Sequence, residues 1–107
     1  NAPETLSAVR PASPDAASDL LAWPLIRTLV GFDTTSRDSN LALIDWVIDY
    51  LKSQGVEATL TFNDDRRKAN LFATLPASDG NATEGGVVLS GHTDVVPVDG
   101  QPWNTNP

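Results

Sequence analysis

Two strand-like segments separated only by a polar turn place the strongest constraint on how this chain can fold. In the first, VEATLTF (56–62), apolar and polar side chains alternate strictly, which is typical of a strand with one solvated face. The second, NLFATL, comes directly after the polar stretch NDDRRKA (63–69). Because so short a connection favours antiparallel pairing, the two segments are predicted to form a β-hairpin.

Two segments that precede the hairpin have the apolar spacing of helices. The first runs from Asp19 to Val30, and Pro24 is predicted either to begin the regular helix or to kink it. In the second, Ser39 is the predicted N-cap and Gly55 the predicted C′ residue. The apolar face of this second helix is predicted to comprise Leu41, Ile44, Val47, Ile48 and Leu51, widened by the packing residues Trp46 and Tyr50.

The segment Val87–Leu89 has three apolar residues in succession, a pattern typical of a strand buried on both faces of a sheet. It follows the loop-like stretch PASDGNATEGG (76–86). Such a strand needs neighbouring strands on both edges. The order helix, helix, hairpin, buried strand therefore predicts an α/β layered fold whose sheet is incomplete in this chain.

The composition limits both the size of the fold and the kinds of partner. A length of 107 residues suffices for one small domain. Residues 1–16, rich in Ala, Pro and Ser, are expected to be a flexible tail, which leaves residues 17–107 for the folded part. Seven basic and fourteen acidic residues give a net charge of -7, which argues against nucleic acid as a partner.

Other compositional features bear on the compartment and on metal binding. The chain contains no Cys, so disulfides and thiolate metal ligands are excluded, and a bound metal must use His and carboxylates. No apolar run approaches the roughly 20 residues that cross a bilayer, and the first residues lack the pattern of a secretory signal. We expect a soluble, cytoplasmic protein without a membrane partner.

The chain's one histidine, His92, lies two residues before Asp94 and just after the predicted buried strand. Ligands of open α/β sheets gather beyond the carboxyl ends of strands, and residues two apart in extended chain project to the same side. A neutral imidazole is a good zinc ligand, and a carboxylate that accepts its other N–H fixes the tautomer. His92 is thus a candidate zinc ligand and Asp94 its orienting carboxylate. Alternatively, His92 is a partly exposed loop residue and Asp94 a turn residue leading to Pro97.

The stretch VVLSGHTDVVP (87–97) resembles the first metal-binding signature of the co-catalytic zinc amidohydrolases, a superfamily of deacetylases, desuccinylases, aminoacylases and carboxypeptidase G2-like peptidases. The resemblance extends back through LIRTLVGFDTTSRDSNLALIDWVIDYLKSQG (25–55) and KANLFATL (68–75), which look like the opening helices and hairpin of the same catalytic domain. The continuation VPVDGQPW (96–103) looks most like the acetylornithine deacetylase family.

This resemblance implies that residues 17–107 are the N-terminal part of a zinc-exopeptidase-like catalytic domain. The complete enzyme would hydrolyse N-acetylornithine to ornithine and acetate in arginine biosynthesis, using two zinc ions, with cobalt as a possible substitute. His92 would bind one zinc ion. Asp94 would be the catalytic residue whose carboxylate orients the imidazole of His92. The alternatives are a succinyl-diaminopimelate desuccinylase, a general aminoacylase or peptidase, or a non-catalytic folding or interaction module.

The remaining ligands and the general-base Glu of the resembled family lie downstream of this motif. The resemblance therefore implies that the isolated chain is inactive. The complete enzyme is expected to take a small N-acyl amino acid as substrate and to form a homodimer. The isolated chain is expected to self-associate through an exposed sheet edge.

Overall fold

The computed structural model describes residues 21–107. The elements in this part of the chain are α1 (Trp23–Val30), α2 (Leu41–Ser53), β1 (Ala58–Phe62) and β2 (Ala69–Ala73). The predicted order of two helices and a hairpin is confirmed, and so is the mixed α/β class. The tail predicted over residues 1–16 and the helix start predicted at Asp19 lie outside the described residues.

The chain divides after Gly31 into two units, with α1 in the first and α2 and the hairpin in the second. Helix α1 carries Pro24 within its first turn. A proline there removes no helical hydrogen bond, because the first N–H groups of a helix have no partner within it. Pro24 therefore lies at the start of the helix, one residue after Trp23, which agrees with the first of the two predicted roles. None of the helices in residues 21–107 has both the length and the apolar character needed to cross a bilayer.

The N-cap of α2 is Asn40, so the prediction of Ser39 was wrong by one residue. The Asn40 side chain does not cap the helix. Its Oδ1 accepts from the Ala69 N–H at 3.0 Å, and its Nδ2 donates to the Ala69 carbonyl at 2.9 Å. The Ser39 hydroxyl still accepts the Leu41 N–H at 3.2 Å. The sequence pattern missed this arrangement because β2, a distant segment, engages the amide of Asn40.

Helix α2 ends as predicted, with Gly55 in the C′ position. Its φ is 74°, in the left-handed region that favours glycine. The Gly55 N–H donates to the Lys52 carbonyl at 3.0 Å, and the Val56 N–H donates to the Leu51 carbonyl at 2.9 Å. This pair of bonds is the Schellman motif, which satisfies two carbonyl groups at the end of the helix.

Replacing Gly55 by alanine is expected to lower the free energy of unfolding by about 1–2 kcal/mol, because a Cβ is unfavourable at this φ. The matched control is Gly91→Ala. Gly91 lies outside the left-handed region, and a Cβ added there meets no atom within 4 Å. The control is therefore expected to be neutral or slightly stabilising. Urea unfolding followed by circular dichroism measures both, and equal effects of the two variants would contradict this account of Gly55.

The hairpin pairs β1 with β2 in antiparallel register, from Ala58 opposite Ala73 to Phe62 opposite Ala69. Along β1, half-buried and exposed residues alternate as the sequence predicts. Helix α2 packs against β2, where Ala69 is buried. The predicted apolar face of α2 included Ile44, which is 4% exposed, but omitted Leu43, which is 7% exposed. Partly buried residues packed against this core are Phe32, Leu41, Val47, Ile48, Leu60, Phe62 and Leu71.

The predicted buried strand at Val87–Leu89 is not formed. The segment has no strand in the structure, and its residues are 86%, 80% and 93% exposed. A continuous apolar run becomes a buried strand only where neighbouring strands satisfy its backbone groups. Within residues 21–107, β1 and β2 pair only with each other. The prediction of an incomplete sheet is confirmed, because the sheet of the described residues has only these two strands.

Candidate functional site

Two backbone hydrogen bonds hold the segment around Val95 against the loop that precedes α2. The Val95 N–H donates to the Thr34 carbonyl at 3.2 Å, and the Ser36 N–H donates to the Val95 carbonyl at 2.9 Å. Together they form an isolated parallel bridge between Thr35 and Val95. This bridge, rather than a buried strand leading into His92, determines where the candidate site lies.

Thr93 points its polar groups inward, towards the same loop. Its carbonyl accepts from the Thr34 hydroxyl at 2.5 Å, and its own hydroxyl accepts from Asn40 Nδ2 at 3.4 Å. Thr34 is 6% exposed and Thr93 is half-buried. Since side chains alternate in direction along extended chain, the residues on either side of Thr93 are directed towards solvent.

His92 and Asp94 are these flanking residues, and the structure brings their side chains together. The distance from His92 Nδ1 to Asp94 Oδ1 is 2.9 Å, and the two side chains are 83% and 61% exposed. When Nδ1 carries the ring proton, Asp94 accepts a hydrogen bond from this N–H group. Nε2 then keeps its lone pair available for a cation. The structure thus places the two side chains within hydrogen-bond distance of each other, and their roles towards a metal stay a prediction.

The His92–Asp94 pair can supply one ligand to a zinc ion. Among residues 21–107, no group of three or more His, Cys, Asp or Glu side chains is placed to hold a metal ion. A catalytic zinc uses about three protein ligands. The pair therefore suits one imidazole donor of a metal site, and the described residues do not provide the others.

An ion pair ties the segment that follows the site to the same loop. Arg37 Nη2 donates to Asp99 Oδ2 at 2.9 Å, and both side chains are exposed. The hydrogen bond from Arg37 lowers the pKa of Asp99 below its ordinary value of 3.8, and it raises the pKa of Arg37. The sequence offered no spacing signal for this contact, because the two residues are 62 positions apart.

The loop itself is shaped by a local motif at Asp33. Asp33 Oδ1 accepts from the Thr35 hydroxyl at 2.7 Å and from the Thr35 N–H at 3.1 Å. The hydroxyl bond is the larger cause of the lowered pKa of Asp33, and the N–H bond adds to it. An Asp two residues before a Thr is a common turn pattern, so the stretch DTT (33–35) carried a signal that the sequence analysis missed.

The Arg37–Asp99 pair predicts a dependence of stability on acid pH. Because the pKa of Asp99 is lowered on folding, its contribution is present above its ordinary value of 3.8 and is lost as pH falls through the folded value. Arg37→Ala is expected to raise the pKa of Asp99 towards 3.8, as measured by carboxyl ¹³C titration. Arg67→Ala, which removes an equal charge elsewhere, is the control and should leave Asp99 unchanged. Equal shifts in the two variants would exclude a specific pair.

Comparison with curated proteins finds relatives of one kind. An acetylornithine deacetylase from Yersinia pestis is 33% identical over 89 residues, which cover 82% of this chain and 22% of the relative. The enzyme of that name from Pasteurella multocida (strain Pm70) is 36% identical over 91 residues, covering 84% of this chain and 22% of the relative. This chain is a relative of the acetylornithine deacetylases. The resemblance predicted from the sequence is thereby confirmed.

A third acetylornithine deacetylase, from Proteus mirabilis (strain HI4320), is 37% identical over 89 residues, covering 82% of this chain and 21% of the relative. The chain thus spans about a fifth of the length of the acetylornithine deacetylases it matches. No family model matches the chain. No solved structure matches it either.

Proposed function

We propose that this chain is the part of a zinc-dependent acetylornithine deacetylase that supplies His92 as a zinc ligand and Asp94 as the carboxylate that orients it. The observation that carries the proposal is the 2.9 Å contact between His92 Nδ1 and Asp94 Oδ1 on exposed side chains. The shared name of the relatives supports N-acetylornithine as the substrate. The proposed reaction is hydrolysis of the acetamide to ornithine and acetate.

The role of each side chain follows from hydrogen-bond chemistry. Asp94 holds the proton on Nδ1, restrains rotation of the ring and raises the basicity of Nε2. His92 then presents Nε2 as a neutral donor to the metal. When bound, zinc, or cobalt in its place, supplies a water of lowered pKa and a Lewis acid for the amide carbonyl.

The proposal assigns the remaining ligands and the proton-transferring base to residues beyond those described. One imidazole is fewer than the roughly three protein ligands that a catalytic zinc uses. The 107-residue chain alone is therefore expected to show no turnover with added zinc or cobalt. Turnover by this chain alone would contradict the assignment.

The complete protein that carries this segment provides the test of function. It should release ornithine from N-acetylornithine, lose that activity on chelation, and regain it when zinc or cobalt is restored. N-succinyl-diaminopimelate and a panel of other N-acyl amino acids are assayed in parallel. A preference for one of these would reassign the chain to a desuccinylase or an aminoacylase, and hydrolysis that survives exhaustive chelation would refute the metal-dependent mechanism.

The proposal extends to the partners and location of the protein. The complete enzyme is proposed to be a cytoplasmic homodimer, as expected from the sequence. Sedimentation of the purified complete protein and fractionation of cells that express it test the two parts separately.

The isolated chain is expected to self-associate through Val87–Leu89, which are apolar, adjacent and at least 80% exposed. Apolar, unpaired backbone of this kind favours pairing with a second copy. Sedimentation velocity should show association of the wild-type chain and less of it in Val88→Lys. Ala82→Lys adds the same single positive charge to the exposed polar loop that precedes this segment and serves as the control. A monodisperse wild-type monomer would contradict this expectation.

A further inference from the structure

We propose that Thr34 is a positioning residue for the His92–Asp94 pair. It acts through the backbone on either side of Asp94, and its hydrogen bonds go to that backbone rather than to the side chains of the pair. Its consequence for catalysis rests on the proposed function, whereas its effect on the geometry of the pair does not.

Thr34 engages both peptide groups that flank Asp94. Its hydroxyl donates to the Thr93 carbonyl at 2.5 Å, and this carbonyl belongs to the peptide group before Asp94. Its own carbonyl accepts the Val95 N–H at 3.2 Å, which belongs to the peptide group after Asp94. With both peptide planes held by one residue, the Cα–Cβ direction of Asp94 is restrained relative to its neighbour His92.

The burial of Thr34 gives this contact its importance. At 6% exposure, Thr34 lies where water has little access, and its hydrogen bond to the Thr93 carbonyl is partly buried, so loss of the hydroxyl leaves that carbonyl short of a donor. By contrast, both side chains of the pair are largely exposed, at 83% and 61%. The backbone is therefore the main route by which the fold can align His92 with Asp94.

The neighbouring residue Thr35 offers a matched control. It is also buried, at 7% exposure, but its hydroxyl donates to Asp33 within the loop rather than to the segment that carries the pair. Thr35→Val therefore removes a buried hydroxyl from the same loop and leaves the Thr34–Thr93 hydrogen bond in place. Thr34→Val removes that bond with little change of shape.

The first experiment uses the imidazole of His92, which is the only histidine of the chain, so its signals need no assignment. Ring ¹⁵N shifts at one fixed pH, at which the ring is neutral, report which nitrogen carries the proton. The Nδ1–H form is expected in the wild-type chain, in Thr34→Ser and in Thr35→Val. Thr34→Val is expected to shift the population towards Nε2–H, the form an unrestrained histidine prefers.

The second experiment measures kinetics in the complete protein. A misplacement of a catalytic group by about 1 Å can cost about 100-fold in rate. We therefore expect Thr34→Val to lower kcat by about 10- to 100-fold with little change in KM, and Thr34→Ser to restore it. If circular dichroism shows that Thr34→Val does not fold, T34S and T34A, which differ by one oxygen, replace it in both experiments.

The outcomes separate this proposal from the proposed function. An unchanged tautomer in folded Thr34→Val, or an equal change in Thr35→Val, would overturn the positioning role even if the complete protein is an active deacetylase. A tautomer change confined to the variants without the Thr34 hydroxyl supports the positioning role even if the complete protein hydrolyses no amide, in which case only the proposed function fails.

Discussion

His92→Ala is expected to lower the proposed deacetylase activity of the complete protein by more than about 100-fold and to reduce the zinc that it is proposed to bind. Loss of a residue that only orients a metal ligand typically costs about 10- to 100-fold, and loss of the ligand itself costs more. His92 is the chain's one imidazole, so no other histidine of these 107 residues can take its place. Metal content by mass spectrometry and initial rates with N-acetylornithine are measured on the same preparation.

Asp94→Asn tests the second member of the pair separately. The amide is nearly the same size as the carboxylate but bears no charge, so activity is expected to fall by about 10- to 100-fold while zinc is still bound, more weakly. Asp79→Asn, in the loop after the hairpin, is the control for loss of an exposed acid.

Wild-type metal content and activity in His92→Ala would instead favour a non-catalytic module in which the pair serves only the turn.

Ile44→Ala is expected to lower the free energy of unfolding by about 2–5 kcal/mol, the usual range for truncating a buried aliphatic side chain. Ile44 is 4% exposed and belongs to a core whose other buried members in the described residues are Leu43 and Ala69. The truncation removes apolar contacts with these residues and with the partly buried side chains packed against them. Since small domains are stable by only about 5–15 kcal/mol, this variant should lose a large share of its free energy of unfolding.

The measurement for Ile44→Ala is equilibrium unfolding in urea, followed by circular dichroism. Asp45→Ala on the exposed face of the same helix is the control, with an expected change within about 0.5 kcal/mol. The comparison separates loss of packing from any change of helix propensity, since both variants introduce alanine in α2. Equal unfolding midpoints for Ile44→Ala and the wild type would show that this cluster does not stabilise the fold.

The features of the fold that the sequence predicted well depend on interactions between near neighbours. Gly55 ends α2 because its left-handed φ and the two bonds of the Schellman motif involve residues within one turn of the helix. The hairpin follows from alternation along β1 and a short polar connection. The His92–Asp94 contact is of the same kind, since two residues of extended chain already place both side chains on one side.

The predictions that failed concern residues whose surroundings lie far away in sequence. Asn40 rather than Ser39 is the N-cap of α2, and the side chain of Asn40 is engaged by Ala69, 29 residues away. Val87–Leu89 has the composition of a buried strand, but strand formation depends on a partner edge, and within residues 21–107 none pairs with it. Composition alone does not show whether such an edge is present.

The sequence by itself determined the two helices, the hairpin, the candidate pair and the relation to acetylornithine deacetylases, because each of these depends on residue types and short spacings. Only the tertiary structure decided how the pair is held. Thr34 and Thr93 are 59 residues apart, and nothing in their local patterns couples them. Their hydrogen bond exists because the fold brings the loop before α2 alongside the segment after the hairpin, where a buried hydroxyl and a backbone carbonyl satisfy each other.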